Sequence, residues 1–590
     1  MRILGISAHY HDSAAALLVD GEPVCAIEEE RLSRRKNDAA FPLAAVELCL
    51  DSAGLSPEDL DAVVFYEKPM LKFERIVSMV LREFPRSWRS FPRAMQGALG
   101  GKLWVKGIIG AQLGVPGRRI LFTEHHRSHA AMAFLGSPSR RAAILVADGV
   151  GEWATLSLGR GAIDDSGRAS IELLRELRFP HSLGMLYSAF TAYLGFPVNE
   201  GEYKVMGLAA FAAPVFAAEV RKMARRTADG GLELDLSYFD FHHTARRSYA
   251  QKLVDALGPA RDPWDPIDLG SAEGQRFAAV AASVQLVLEE ILLDVARALQ
   301  RETGLDDLCC GGGVALNGVA NARLLRESGF KNLYVPAAPG DAGCALGAAL
   351  YADRIHFGRP HREIPGHPYW GGEIDASALA RVAAEDGLPV EELPDEPALL
   401  ARVAAELESG RIVGWMQGRS ELGPRALGNR SILAAPQGAA MRDRLNRSIK
   451  FREEFRPFAP AVPVEHADRY FELPPGGARL ARFMSGVFPV RPEWRERLAA
   501  VTHVDGTARV QVVERAIAPR FHALLEAAGA RSGIPVLLNT SFNLAGEPIV
   551  ERAVEGYSTF RRSGIDLLVA GGTLVRKRRS GEVAPQEAVA

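Results

Sequence analysis

The sequence predicts an α/β fold of two modules, the first of which is internally duplicated. Three strands, a helix and a further strand are predicted between Arg2 and Glu67, and the same series returns after Arg140. Repetition of one series of elements indicates two similar lobes. The chain has 590 residues, which exceeds the size at which a single hydrophobic core stops growing, so further domains are expected.

The first copy begins with the strands RILGIS, SAAALLVDG and EPVCAIEEER, with a hairpin turn at Gly21. The helix PLAAVELCLDSAGL ends at Gly54, and the buried strand LDAVVFYE follows it. The second copy has the strands AAILVADG, WATLSLGRG and IELLRELRF, then a long helical region, then the strand DDLCCGGG. Duplicated α/β lobes face each other across a cleft, and ligands bind at the strand ends that line it.

The composition is that of an ordinary soluble protein, with 47% hydrophobic residues, 24% charged residues and a net charge of -2. This charge gives no overall attraction to nucleic acid or membrane, and we expect neither as a partner. Five cysteines without a CxxC pair are typical of a reducing compartment. The N-terminus lacks a signal-peptide pattern, and Glu289 and Glu290 interrupt the most apolar helical stretch. We therefore expect a cytoplasmic protein.

Three segments differ from the rest of the chain in composition. Residues 73–106 are rich in Arg, Lys, Phe and Trp, which predicts either a lid or partner surface or a solvated helical pair. Residues 358–397 are rich in Pro, Gly and acidic side chains, which predicts an interdomain connection. The tail after Val575 has no apolar period, which predicts a frayed terminus.

A metal site is predicted from two histidines and two aspartates of the first module. His125 and His129 are four residues apart, so on a helix both imidazoles lie on one face. Asp148 follows a strand, and Asp341 begins a helix of small residues. Imidazole and carboxylate ligands together suit Fe, Zn or Mn. The alternative is a pair of histidines that packs a helix, beside an ordinary Asp turn.

Other residues of the first module are candidates for catalysis or nucleotide binding. His11 and Asp12 follow the first strand and are interpreted either as a general base for an acceptor hydroxyl or as a surface turn. Glycine-rich turns after strands let backbone N–H groups approach a phosphate or ribose. The candidates for nucleotide binding, which have turn and capping roles as alternatives, are Gly149, Gly151, Glu200, Lys204, Gly312, Gly313 and Asn317.

The second module contains a local excess of positive charge. Ten Lys and Arg residues face four acidic residues between Arg411 and Arg456. Guanidinium groups match phosphate oxygens, and the interspersed glycines and prolines favour a compact pocket over a nucleic-acid surface. The stretch PVLLNTSFNL adds amides and hydroxyls that either complete a phosphate site or form a turn. The candidates for anion binding are Arg419, Arg425, Arg430, Lys450, Arg452, Arg456, Arg509, Asn539, Ser541 and Asn543.

Eight long stretches follow one another between Met1 and about Val550: HDSAAAL, EHHRSHAAMAF, DGVGE, EGEYKVMGLAA, PGDAGCALGAA, QGRSELGPRALGNRSIL, FREEFRPFAPAV and PVLLNTSFNLAGEPIV. Together they resemble the O-carbamoyltransferase family, which includes nodulation protein U, cephalosporin hydroxymethyl carbamoyltransferases and nebramycin-type aminoglycoside carbamoyltransferases. Ser420 and Leu422 depart from the Met and Phe expected in the family's arginine loop, and neither change removes a charge.

The resemblance implies a domain order. Residues 1–362 would form a metal-containing carbamoyl-transfer domain of the actin/Hsp70-like (RNase H-like) fold, in two lobes. Residues 363–578 would form a YrdC-like domain that makes carbamoyl-adenylate, and residues 579–590 a flexible tail. A homodimer is also among the expectations.

The resemblance also implies a chemistry. The second domain would join carbamoyl phosphate to ATP, supplied with Mg²⁺, giving carbamoyl-adenylate and pyrophosphate. The first would pass the carbamoyl group to a hydroxyl of a small natural-product or sugar acceptor, releasing AMP. The four predicted metal ligands would hold a divalent ion, expected to be Fe(II), and His11 would be the base. Arg425, Lys450 and Arg456 would contact the phosphates.

Three other functions compete with this interpretation. A sugar-sensing protein without catalysis would not need the metal and phosphate residues together. A sugar or acetate kinase of the same duplicated fold would leave the arginine-rich second module without a role. A tRNA-modifying factor would need a basic face and aromatic stacking platforms, which the net charge of -2 disfavours.

Overall fold

The computed structural model describes residues 1–88, 91–92, 95–96, 102–227, 231–244, 246–451, 453 and 455–577. Arg452, the tail 579–590 and part of the insertion 73–106 lie outside these residues. The chain forms two compact units. The first contains residues 1–29, 37–366 and 473–488, and the second contains residues 30–36, 367–472 and those from 489 onward. Over the described part of the chain, no helix combines the length and apolarity needed to cross a membrane.

The first unit contains two five-stranded sheets with the same topology. Its strands are β1 Arg2–Ser7, β2 Ala14–Val19, β3 Glu22–Glu28, β4 Ala62–Phe65, β5 Ile120–Phe122, β6 Arg141–Ala147, β7 Ala154–Ile163, β8 Ala169–Arg178, β9 Ala224–Arg226, β10 Leu232–Leu234, β11 Asp307–Gly311 and β12 Asn332–Tyr334. The sheet orders are β3-β2-β1-β4-β5 and β8-β7-β6-β11-β12. In each sheet, the first three strands of this order pair antiparallel. The remaining two run parallel to the central strand, which is β1 in the first sheet and β6 in the second. The α/β class and the predicted duplication are confirmed.

Helices pack on these sheets. The α-helices that begin in this unit are Glu29–Ser33, Leu43–Asp51, Pro69–Arg82, Val105–Leu113, His125–Leu135, Leu183–Tyr193, Glu202–Leu208, Ala217–Met223, Gln251–Leu257, Ala272–Thr303, Gly318–Glu327, Asp341–Tyr351 and Gly477–Ala481. The longest begins where the Ser271 hydroxyl accepts from the Gly274 N–H at 3.0 Å. It ends at Gly304, whose φ of 62° is a left-handed conformation that glycine adopts without strain.

The second unit is built on an eight-stranded mixed sheet. The remaining strands are β13 Tyr369–Glu373, β14 Val390–Glu392, β15 Val413–Met416, β16 Arg419–Glu421, β17 Arg430–Ala434, β18 Ala459–Pro463, β19 Phe488–Pro489, β20 Thr507–Ala508, β21 Gln511–Val513, β22 Leu537–Ser541, β23 Leu567–Ala570 and β24 Thr573–Arg576. The sheet order is β14-β24-β23-β15-β17-β22-β18-β21. The α-helices are Ala376–Glu385, Glu396–Glu408, Ala439–Leu445, Ala467–Tyr470, Pro519–Ser532 and Ala553–Arg561. Trp415 and Phe521 are fully buried in its core.

The prediction of an interdomain connection over residues 358–397 is wrong for most of its length. This segment contains β13, the helix Ala376–Glu385 and β14. The Asp375 carboxylate caps the helix by accepting from the N–H groups of Ser377 and Ala378. Leu379 and Ala383 are buried because they lie on one face, and the many acidic residues around them hid this period in the sequence.

Candidate functional site

Two helices of the first unit bring most of the predicted metal ligands together. The helix His125–Leu135 carries both histidines, and the helix Asp341–Tyr351 begins with the aspartate. A Cβ atom on Gly347 would lie 2.1 Å from the carbonyl oxygen of Ser128, so only glycine permits this approach of the two helices. The small residues that follow the aspartate therefore serve the geometry of the site.

The four predicted ligands converge on one point. The Nε2 atoms of His125 and His129 are 3.1 Å apart. Asp148 Oδ2 lies 3.0 Å from the first of these nitrogens and 3.4 Å from the second, and Asp341 Oδ1 lies 3.6 and 3.5 Å from them. One ligand atom of each residue falls within 4.8 Å of all the others. The structure thus assembles the complete predicted donor set.

This donor set fits a divalent transition metal. Asp341 Oδ2 is buried without a hydrogen-bond partner, which is costly for an ionised carboxylate unless a cation neutralises it. Two imidazole nitrogens and two carboxylates lie within one small volume. This arrangement is typical of a metal centre with mixed nitrogen and oxygen ligands.

The electrostatics of the centre keep both carboxylates ionised. Burial opposes the charge of Asp148, but hydrogen bonds from His125 and His129 hold the pKa of this carboxyl well below its usual range. Burial likewise opposes the charge of Asp341, while the positive potential of His125 lowers its pKa. Both groups are therefore negatively charged near neutral pH, as metal ligands must be.

Two predicted glycine-rich turns shape the metal centre directly. A Cβ atom on Gly151 would lie 3.0 Å from the His125 ring. The Gly313 N–H donates to Asp148 Oδ1 at 3.2 Å. Gly312 has φ of 90°, a left-handed conformation that side chains other than glycine rarely adopt. These glycines thus position candidate metal ligands, a role that the sequence analysis did not assign to them.

The remaining candidates for nucleotide binding lie in turns and at helix starts. The Gly149 carbonyl accepts from the Ser182 hydroxyl at 2.7 Å. Asn317 caps a helix through the Ala320 N–H, and its amide donates to Gln285 at 2.8 Å. Glu200 is half-buried in the turn before the helix Glu202–Leu208. Lys204 lies on that helix, with its ammonium group 5.4 Å from the centre of the Phe196 ring.

His11 forms the predicted pair with its neighbour. Its Nδ1 atom lies 2.9 Å from Asp12 Oδ2. Burial alone would lower the pKa of His11, but the hydrogen bond to Asp12 and the negative potential of Asp341 and Asp148 raise it to about 9. The Tyr10 ring lies 4.4 Å from the His11 ring and is partly exposed.

Sequence analysis missed two residues that hold the candidate metal site in place. Both carboxylate oxygens of Glu152 accept from the His125 N–H, at 3.0 and 3.1 Å. Arg75, from the insertion, donates to the Gly151 carbonyl at 3.0 Å. Glu152 ends the DGVGE stretch and was recognisable there. No sequence pattern linked Arg75 to a turn 76 positions away.

A second group of predicted residues meets at the end of β22 in the second unit. Lys450 is 95% buried, and its ammonium group donates to the carbonyl and hydroxyl of Ser541 at 2.6 and 3.2 Å. It also donates to the carbonyl and side-chain oxygens of Asn543 at 3.1 and 2.8 Å. Asn539 lies further back on the same strand, where its amide donates to Gln511 at 2.6 Å.

The predicted arginines divide into structural and accessible residues. Arg430 is fully buried and donates to five backbone carbonyls, including those of Gly372 and Glu551, so its guanidinium is occupied by the fold. Arg419 donates to the carbonyls of Trp370 and Gly371. The prediction of anion binding does not suit these two side chains.

The other predicted arginines that the structure describes, Arg425, Arg456 and Arg509, are partly exposed. Arg456 pairs with Glu453 at 3.5 Å, and Arg425 is half-buried in the loop before β17. Arg509 lies near His503, whose pKa is lowered to about 4 by burial and by the Arg509 charge, against the opposing effect of Asp505. His503 is a neighbour that sequence analysis did not identify.

Comparison with known proteins gives two family models that together span most of the chain. The model described as the carbamoyltransferase N-terminus matches residues 2–350, and the model described as the carbamoyltransferase C-terminus matches residues 404–577.

Three relatives extend over most of the chain. An uncharacterized protein of Synechocystis is 41% identical, over 98% of this chain and 96% of its own. Nodulation protein NolNO of Sinorhizobium fredii is 36% identical, over 96% of this chain and 79% of its own. The 3'-hydroxymethylcephem-O-carbamoyltransferase of Streptomyces clavuligerus is 30% identical, over 78% of this chain and 82% of its own.

Proposed function

This chain belongs to the carbamoyltransferase family, and on that premise we propose that it is an ATP-dependent O-carbamoyltransferase with two reaction sites. The observation that carries this proposal is the presence of two unlike polar sites in separate units. One combines imidazoles and carboxylates, and the other surrounds a buried lysine with hydroxyl and amide groups. A kinase of a duplicated fold would need only the first unit.

The second unit activates the carbamoyl group. Carbamoyl phosphate, ATP and water give carbamoyl-adenylate, orthophosphate and pyrophosphate. Lys450 supplies positive charge beside the Ser541 hydroxyl and the Asn543 amide, a combination that suits phosphate oxygens. Arg425, Arg456 and Arg509 would add further positive charge. AMP is the better leaving group in the next step when its phosphate charge is neutralised.

The first unit transfers the carbamoyl group to an acceptor hydroxyl. The acceptor oxygen attacks the carbamoyl carbon, the bond to the phosphate oxygen breaks, and AMP departs. His11, in the turn after β1, takes the proton of the hydroxyl, and Asp12 orients its ring through Nδ1. The small-molecule acceptor, the actin/Hsp70-like ancestry of this unit and the YrdC-like character of the other are parts of the same proposal.

A divalent cation, for which we propose Fe(II), would be held by His125, His129, Asp148 and Asp341 and would supply positive charge to stabilise the leaving phosphate. The chain's own contribution is to hold these four side chains rigidly. Glu152 fixes the first turn of the histidine helix, and the Gly313 N–H orients the Asp148 carboxylate.

Incubation of the pure protein with ATP and carbamoyl phosphate, without acceptor, tests the proposal. Pyrophosphate release that requires carbamoyl phosphate is expected. Release of ADP in place of pyrophosphate would indicate a kinase and contradict the adenylate route. Addition of candidate hydroxyl acceptors should then increase AMP formation and yield a product heavier by one carbamoyl group.

A further inference from the structure

The second unit contains another group of histidines and carboxylates, away from the lysine site. Glu465 and His466 lie in the single turn that follows β18. His522 and Glu526 lie four residues apart on one face of the helix Pro519–Ser532, which packs against β18. Two sequence-distant elements thus each present one imidazole and one carboxylate to the same place.

Three of these side chains have the geometry of metal ligands. His522 Nε2 lies 2.9 Å from Glu465 Oε2. One donor atom from each of Glu465, His522 and Glu526 falls within 4.8 Å of the other two. The His522 side chain is only 9% exposed, so packing fixes the direction of its nitrogen, whereas the two carboxylates are 54% and 44% exposed. The site is therefore rigid on one side and open to solvent on the other.

The fourth residue has the geometry of a supporting group. His466 Nε2 lies 3.1 Å from Glu526 Oε1, the position from which an outer residue orients a ligating carboxylate. Among the described residues, no Lys or Arg forms an ion pair with Glu465 or Glu526. The two carboxylates therefore face two imidazoles, with no lysine or arginine among the described residues to neutralise them.

We propose that Glu465, His522 and Glu526 bind a divalent transition metal ion, with Zn²⁺ as the ion that suits them. One nitrogen and two oxygen donors leave coordination positions for water, and an imidazole ligand disfavours Mg²⁺ and Ca²⁺. The ion joins the turn after β18 to the neighbouring helix. Since β18 pairs with β22, which leads to Ser541, the ion braces the strand that supports the lysine site.

Metal counting on the full chain tests this site separately from the centre at His125. The protein is dialysed against buffered Zn²⁺, and bound metal is measured by elemental analysis. Two equivalents are expected for the unmodified chain, one for His522→Gln and one for His125→Ala. Glu472→Gln, which removes an exposed carboxylate of the same unit outside the cluster, should retain both.

Glu526→Gln keeps the test decisive if His522→Gln misfolds, because this carboxylate is largely exposed and its loss leaves the core intact. It should lower Zn²⁺ affinity at the second site at least tenfold and leave the His125 site unchanged. If this variant still binds two equivalents of Zn²⁺ with unchanged affinity, the proposal is overturned. It is also overturned if the unmodified chain binds only one equivalent of Zn²⁺ and His125→Ala binds none. Either result would mean that the four side chains form ion pairs only.

Discussion

Gly347→Ala should disrupt the metal centre without altering any of its ligands. The added Cβ would lie 2.1 Å from the Ser128 carbonyl oxygen and 3.0 Å from Met132 Cβ, both on the histidine helix. A backbone oxygen cannot rotate away as a flexible side chain would, so the two helices must separate by roughly 1 Å. Asp341, at the start of the displaced helix, would then move away from both histidines.

The expected size of the effect follows from the cost of overpacking. Extra atoms in a close-packed interior cost about 1–3 kcal/mol. If that cost falls mainly on the metal-bound arrangement, the metal dissociation constant rises about fivefold to 150-fold. Chelator competition gives this constant, and a pyrophosphate assay on the same preparation shows whether the second unit still works.

Gly107→Ala is the matched control. Gly107 lies on the helix Val105–Leu113, and a Cβ there would meet nothing within 4 Å. This variant should bind metal normally and gain up to about 1 kcal/mol of helix stability. Unchanged metal affinity in a folded Gly347→Ala protein would refute the argument that close helix packing sets the ligand geometry.

Three further predictions separate the two sites and the base. His125→Ala should lose metal, by elemental analysis, and carbamoyl transfer, while pyrophosphate release persists; full metal content would exclude His125 as a ligand. Lys450→Ala should lower pyrophosphate release about thirtyfold to a thousandfold, and supplied carbamoyl-adenylate should restore transfer; no rescue in a folded variant would contradict the division of labour. His11→Asn should slow transfer about 100-fold and abolish its rise with pH. That rise is expected because a pKa raised to about 9 keeps His11 protonated at neutral pH, and an unchanged pH profile in the variant would assign the proton to another group.

The raised pKa of His11 also affects stability. The value of about 9 lies above the ordinary histidine value of about 6.5, so the folded state binds the proton more tightly than the unfolded state. The His11–Asp12 pair therefore stabilises the fold fully below about pH 6.5, and this contribution is lost as pH rises toward 9. A cation that neutralises Asp148 and Asp341 reduces the shift by removing the negative potential that contributes to it.

Sequence patterns singled out the four candidate metal ligands that the structure brings together, because each one lies at a recognisable place in an element. Two histidines at helical spacing, an aspartate after a strand and another at a helix start are local features. The function of the glycines was harder to infer, because a close approach depends on which backbone lies opposite. Gly347 contacts Ser128, more than 200 positions earlier in the chain, and nothing near either residue predicts that pairing.

The arginines of the second unit show the opposite difficulty. Their number predicted an anion site, but side chains with the same chemistry serve different purposes. Arg430 lies on a central strand, fully buried, and donates to five backbone carbonyls around it. Lys450, at the end of a short helical turn, meets Ser541 and Asn543 at the end of a strand. The difference is one of burial and partners, which composition does not encode.

The duplication explains why the metal centre draws on distant parts of the sequence. In the first lobe, the helix that follows the fifth strand, β5, supplies both histidines. In the second lobe, the helix that follows the fifth strand, β12, supplies Asp341. The turn after the first strand of each lobe contributes in the same way: β6 leads to Asp148, and β1 leads to His11. Equivalent positions of a repeated fold have diverged in chemistry, so that one lobe offers imidazoles where the other offers carboxylates. Both donor types meet at one place because the helix His125–Leu135 packs against the helix Asp341–Tyr351.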